Sequence, residues 1–405
     1  MDLADVVIVG GGIAGSALAY ALASAGRTVT VLESSVEYSD RVRGESMLPW
    51  GVREARNLGV EQVLLDAGAH VSPLWLQYVE GFGEPAMLPM SMMVEGIPGA
   101  LNLRHPDACQ ALVDAAAAAG ATVVRGVHDV KLSRGQEVSV TYSSDRAGEV
   151  RAPLVVGADG RSSTVRRQAG ISLQRDHPVN YIAGLLVDGL EGIPDEHDVM
   201  VAEGGTLLLM FHQGGGRARV YAALGQSGQR RFAGHDAAAL LLSAWQQGCY
   251  PLSELVRAGI PAGPCATYPG DDTWTDTPFA DGVVLIGDAA GHNDPIVGQG
   301  LSIAMRDARI VRDLILDGAR QQADFASYGQ ERFERMRRVR LIADVVSVTC
   351  AEDADNRMAR LAFFGEKMAS MDPEVFPLVA GFMTGPETVP DQLVDPQILE
   401  RIRNA

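Results

Sequence analysis

The sequence predicts an α/β fold: a parallel sheet covered by helices, interrupted by a mostly β insertion and followed by a helical C-terminal region. Three observations predict it. Apolar β-branched runs alternate with Ala-rich helical patterns near the start, short strands joined by glycine turns crowd the middle, and helical patterns dominate after Gly300. With 405 residues and 47% hydrophobic content, the chain can bury one large core or two to three smaller ones.

Each element has a local reason. "DVVIVGGGIAGSALAYALASAGRTVTVLE" (5–33) reads as an apolar strand, a glycine turn, an Ala-rich helix closed by Gly26 and a second strand ending at Glu33, together one βαβ unit. A helical pattern at 51–67 follows, then strand-like segments to about residue 100. "DACQALVDAAAAAGATVVRGV" (107–127) supplies another helix and strand, and hairpins are predicted over 128–156. From about 176 to 228 the pattern turns to β, and "GTLLLMFHQGGGRARVYAAL" (205–224) reads as two strands around a Gly-rich turn, which makes this the inserted sheet. Helical stretches near 236–258 lead to a strand at 282–286, and helices continue to the end.

Composition excludes several functions. Lys+Arg 34 against Asp+Glu 51 gives a net charge of -17, which repels nucleic acid and anionic lipid, so the expected partner is a small organic substrate. Cys109, Cys249, Cys265 and Cys350 have neither metal-site nor disulfide-framework spacing and read as reduced thiols, with no metal implied. No leader pattern or apolar run of roughly 18 residues is present, so the expectation is a soluble, cytoplasmic protein without membrane attachment.

Gly10, Gly12 and Gly15, with Ile13 and Ala14 among the intervening residues, form G-x-G-x-x-G between strand and helix. Missing side chains there allow a tight turn, close approach of a pyrophosphate and close helix–strand packing. The helix N-terminus then faces the anion. Glu33, 18 residues after Gly15, sits where a carboxylate accepts from a ribose 2′-OH and repels a 2′-phosphate, favouring FAD or NAD over NADP. Two further strands end in carboxylate turns: "LVVGADGRSSTVR" (154–166), with Asp159 and Gly160, and "LIGDAAGHNDPIVGQG" (285–300), with Gly287 and Asp288.

These three motifs, in this order, resemble the class A flavin-dependent monooxygenases typified by para-hydroxybenzoate hydroxylase, over about residues 1–345. The resemblance implies a Rossmann-like FAD-binding domain made of 1–72, 101–175 and 265–345, a substrate-binding domain of 73–100 and 176–264, and a helical C-terminal region, 346–405. It implies that Gly287 and Asp288 bind the ribityl and pyrophosphate region, and that Asp159 and Gly160 lie near FAD and the path of a transient NADH or NADPH. Pro295 would lie beside the reactive flavin carbon. The Gly298-Gln299-Gly300 helix start would face the N1/O2 edge, where free N–H groups stabilise the negative charge of reduced flavin. Arg43, in "RVRGESMLPWG" (41–51), and Arg104 match flavin-phosphate contacts, although a one-residue shift would put His105 in place of Arg104. Many relatives carry His where Gly291 stands, and His292 is the neighbouring candidate.

The hairpin at 197–224 aligns with the family's substrate strands. Arg219 matches a flavin-facing, catalytic Arg and Tyr221 a pocket Tyr. Gln213 stands where the benzoate-gripping Arg would be, Phe211 where a Ser would be and Met200 where a phenol-deprotonating Tyr would be. With Met210 and the Met-rich "AMLPMSMM" (86–93), these residues imply an apolar, adaptable pocket for a bulky, mostly neutral substrate.

The implied activity is FAD-dependent hydroxylation or epoxidation of an aromatic ring or alkene through a flavin C4a-hydroperoxide, in secondary metabolism. Electrons would come from NAD(P)H or, less favoured, from a separate flavin reductase. The alternatives on the same fold are a flavin-dependent reductase or dehydrogenase, a halogenase, and a non-catalytic flavin-binding protein. A halogenase needs an oxidant-carrying Lys, and this chain has lysine only at 131 and 367.

Overall fold

The computed structural model describes residues 2–42, 44–135, 137–246 and 248–405. Its central sheet has six strands in the order Phe279–Ala280, Val283–Leu285, Leu154–Gly157, Val6–Val9, Val29–Leu32 and Thr122–Val124, parallel except at the Phe279–Ala280 edge. Val6–Val9, Leu154–Gly157 and Val283–Leu285 are buried throughout, as continuous apolar runs covered on both faces must be. Their adjacency brings the three carboxylate and glycine turns together at the C-terminal ends of neighbouring strands, where open α/β sheets bind ligands.

The helix Ile13–Ser24 packs against His105–Ala118 and Gly300–Leu316, and its Ala-rich face permits the close approach. The helical pattern at 51–67 resolves into two helices, Pro49–Leu58 and Glu61–Asp66. Gly59, at φ 80°, ends the first, a left-handed conformation glycine adopts at little cost.

Leu74–Val79 and Ala86–Pro89 join the strands between 180 and 270 in one large sheet, with Leu74–Val79 parallel to His197–Glu203 and the neighbouring hairpins antiparallel. One face packs against the helices at 237–257, around Trp245. The other turns toward the helices of the six-stranded sheet and carries Met200, Leu209 and Phe211. Helix Ala326–Cys350 runs across residue 345, so the C-terminal region begins within a continuous helix, and Arg357–Ala369 and Phe376–Thr384 pack back onto it. Among the described residues, no helix is long and apolar enough to cross a membrane.

Candidate active site

The glycine turn after Val6–Val9 separates two uses of glycine. A methyl group on Gly10 would lie 2.3 Å from the Ala158 carbonyl oxygen, and one on Gly15 would lie 1.9 Å from the Gly10 carbonyl oxygen, so both glycines are required by packing. Gly12, Gly160, Gly298 and Gly300 are different: an added methyl would meet nothing within 4 Å, and all four line one cavity. Backbone from three separate segments thus borders open space, a cradle that side chains would fill. This arrangement fits the diphosphate and flavin portions of FAD.

The cavity, about 340 Å³, starts at this cradle. Ile13, Ala14, Gly287, Asp288 and Pro295 line it too. The Gly287–Ala290 turn is fixed from behind: Arg332 donates to the carbonyls of Ala290 (3.0 Å) and Gly291 (2.9 Å), and Asp307 accepts from the Gly287 N–H at 2.8 Å. Burial pushes the Asp307 carboxyl up, but Arg332 and Arg335 outweigh it and hold the group below its ordinary value. Asp288 remains directed to the cavity, paired with Arg161 at 3.3 Å. His292 lines the wall, its Nδ1 2.8 Å from the Thr273 hydroxyl; burial and the nearby Arg161 lower its pKa, so the ring is neutral at pH 7.

Several expected contacts are placed elsewhere. Glu33 is 6% exposed, outside the cavity lining, and accepts the N–H groups of Gly11 and Ser35, both at 2.6 Å. Asp159 also lies outside the lining and caps the next helix, accepting from Ser163 Oγ, Thr164 N and Val165 N. Arg104 pairs with Asp107 away from the cavity, whereas His105 lines it. Arg43 lies outside the described residues. Gln299 does not line the cavity although both neighbouring glycines do, because its side chain turns into the core.

On the substrate side, Met200, Phe211 and Tyr221 line the cavity. Met210, expected beside them, lies instead on the opposite face of the sheet with Val199 and Leu208, because side chains alternate along a strand. Gln213 and Arg219 do not face the cavity either. A register shift between His212 and Gly214 takes Gln213 out of the ladder, and its amide donates to Glu45 at 2.7 Å. Arg219 is fully buried and donates twice to Glu45 (2.6 and 2.8 Å) and once to Asp40 (2.8 Å). Glu45 carries that buried network to the cavity wall. Of the Met-rich segment Leu88 and Met93 line the cavity; Met90 is core, and Met87 and Met92 are exposed.

Trp75 and the C-terminal helices supply the part of the wall that sequence reasoning missed. Trp75 packs edge-to-face on Phe382 (5.8 Å) and tilted on Phe211 (6.1 Å), which in turn meets Tyr221 edge-to-face (5.9 Å). Four aromatics from four elements thereby form one continuous surface. Phe364, Met368, Phe376 and Met383 extend it. Arg161, directly after the Asp159-Gly160 motif, could have been found from its place in the sequence. Phe382 could not, because an apolar helix does not state where it docks.

The described residues contain no cluster of His, Cys, Asp or Glu able to hold a metal ion. A family model described as "FAD binding domain" matches residues 3–206. Squalene monooxygenase SE2 of Panax ginseng is 27% identical over 327 residues, 77% of this chain and 58% of that protein. Mouse squalene monooxygenase is 25% identical over 321 residues, 77% of this chain and 55% of its own length. The chain thus spans less than two thirds of these relatives. Among solved structures, PqsL, a probable FAD-dependent monooxygenase from Pseudomonas aeruginosa, matches with a TM-score of 0.74 at 22% identity, covering 90% of this chain and all of that one. The flavin-dependent brominase Bmp2 matches with 0.75 at 18% identity over the full length of both chains. These two likenesses show a shared fold.

Proposed function

Starting from a chain that belongs to the FAD-binding family of class A flavin-dependent monooxygenases, we propose that it inserts one atom of O2 into a bulky, mostly neutral alkene or aromatic substrate. The balance is substrate, O2, NAD(P)H and H⁺ giving oxygenated product, NAD(P)⁺ and water. One observation carries the reading: a single cavity runs from the glycine cradle and Pro295 to a wall of Trp75, Phe211, Phe382 and methionines. Bound FAD supplies the oxygen-activating chemistry.

The chain's own residues supply position and dryness. Gly12, Gly160, Gly298 and Gly300 leave room for the cofactor, and Asp288 offers a carboxylate to its hydroxyls. The 17-residue helix that starts at Gly300 presents N–H groups without intrahelical acceptors, which favour negative charge beside the cavity. The aromatic and Met wall removes apolar substrate from water at about 25 cal/mol per Å² and excludes water from the reacting atoms. The squalene monooxygenase relatives are consistent with a neutral alkene as substrate.

A halogenase reading has the brominase fold likeness in its favour, but neither Lys131 nor Lys367 lines the cavity. The test is oxygen consumption under ¹⁸O2 with NADH or NADPH and a panel of polyenes and polycyclic aromatics. One ¹⁸O atom in the product supports the reading. Product formed only with added bromide, or only by reduction, sinks it.

A further inference from the structure

Gln299 sits between two glycines of the cradle, is 2% exposed, and its side-chain amide is fully engaged in the core. Its Oε1 accepts from the Trp50 indole N–H at 2.8 Å, and its Nε2 donates to the carbonyls of Val297 (3.1 Å) and Phe382 (3.0 Å). The contact to Phe382 has a specific cause. Phe382 lies in the last turn of Phe376–Thr384, where carbonyls lose their partners four residues on. The residue four positions later is Pro386, which has no N–H to give. The Phe382 carbonyl therefore needs an outside donor, and Gln299 is that donor.

The Phe382 ring belongs to the cavity wall and packs on Trp75. A single amide therefore joins the backbone that borders the cofactor cradle to the wall that borders the far end of the cavity. We propose that Gln299 is a positioning residue: through the Phe382 carbonyl it sets the distance between the cofactor-side loop and the C-terminal wall, and so the depth at which an apolar substrate is held. This rests on the oxygenase reading above, in which that wall contacts substrate.

The test uses FAD-loaded protein at pH 8 with Gln299→Met, which keeps bulk and removes the hydrogen bonds, and Gln299→Glu, which keeps an acceptor for Trp50 and leaves at most one proton for the carbonyls of Val297 and Phe382. Hydrogen–deuterium exchange should rise together in 294–300 and 376–385 in both variants, while the FAD dissociation constant stays within about twofold. With the panel compound the wild type oxidises best, the fraction of NAD(P)H yielding product should fall roughly two- to tenfold, the range expected for one net hydrogen bond. NAD(P)H consumption itself should persist. If Gln299→Met does not fold, Gln299→Glu decides alone. Exchange confined to one segment, unchanged coupling, or loss of FAD as the main effect would overturn the proposal. A wild type that oxygenates nothing sinks the oxygenase reading and the substrate-depth claim with it, leaving the exchange result to decide whether the tie exists.

Discussion

Asp288 is the cavity's clearest polar handle: its side chain is one-third exposed and its ion pair to Arg161 is itself partly exposed. Such a pair adds little to folding, so Asp288→Ala should leave the melting temperature of the apoprotein nearly unchanged. It should still weaken FAD binding. A hydrogen bond to a charged group is worth about 1.5–3 kcal/mol, a loss of roughly tenfold to hundredfold. Flavin fluorescence titration of the purified apoprotein measures this, and an unchanged affinity would remove Asp288 from the cofactor site. At this scale the sequence was informative about which motif positions border the cavity, as Gly12, Asp288 and Pro295 do. It was less so where orientation decides. Met210 and Phe211 are neighbours with opposite fates, and Arg219 is spent on Glu45 and Asp40.

At the scale of elements, the strand–turn–helix at 6–24 makes a sharper prediction because its glycines serve different masters. Gly15→Ala drives a methyl into the Gly10 carbonyl and should destabilise the fold whether or not FAD is present. Gly12→Ala meets nothing in the protein and should fold with a normal melting temperature, yet take up less FAD. Thermal melts of apoprotein and flavin content of purified protein separate the two; equal destabilisation by both would show that the Gly12 space is not reserved for a ligand. The βαβ unit, the 205–224 hairpin and the strand near 283 were legible because short-range periodicity and glycine turns encode them. The closing of the cavity by Phe376–Thr384 was not. That contact joins residues far apart in the chain, and its decisive features, an orphaned carbonyl before Pro386 and the Gln299 amide, exist only once the chain is folded.

For the whole molecule, buried ionisable groups set how stability follows pH. Burial pushes the carboxyls of Asp198 and Asp294 up to about 7 and that of Asp272 to about 6, against an ordinary value of 3.8, so the folded protein holds protons there that the unfolded chain has released. Between about pH 4 and pH 7 these groups make stability fall as pH rises. His212 opposes them: burial lowers its ring to about 4 from 6.5, so its contribution is lost as pH falls through that window. With Asp344 also raised to about 7 and the rings of His197 and His292 also lowered by burial, four carboxyls stand against three imidazoles; the larger carboxyl shifts place the optimum on the acidic side of neutrality, and the melting temperature should be higher near pH 5.5 than at pH 8. Asp198 offers the cleanest test. Its Oδ1 accepts from Asn102 at 2.7 Å and from the His212 N–H at 3.3 Å, while among the described residues no hydrogen bond of ordinary geometry reaches its buried Oδ2, so an amide can take the place of the carboxyl. Asp198→Asn should therefore match the wild type near pH 4 and exceed it at pH 8. Three units at 1.36 kcal/mol each put the gain on the order of 4 kcal/mol as an upper bound. Parallel melting curves for the two proteins, or a variant less stable than wild type at pH 8, would mean that Asp198 is held as a carboxylate in the fold.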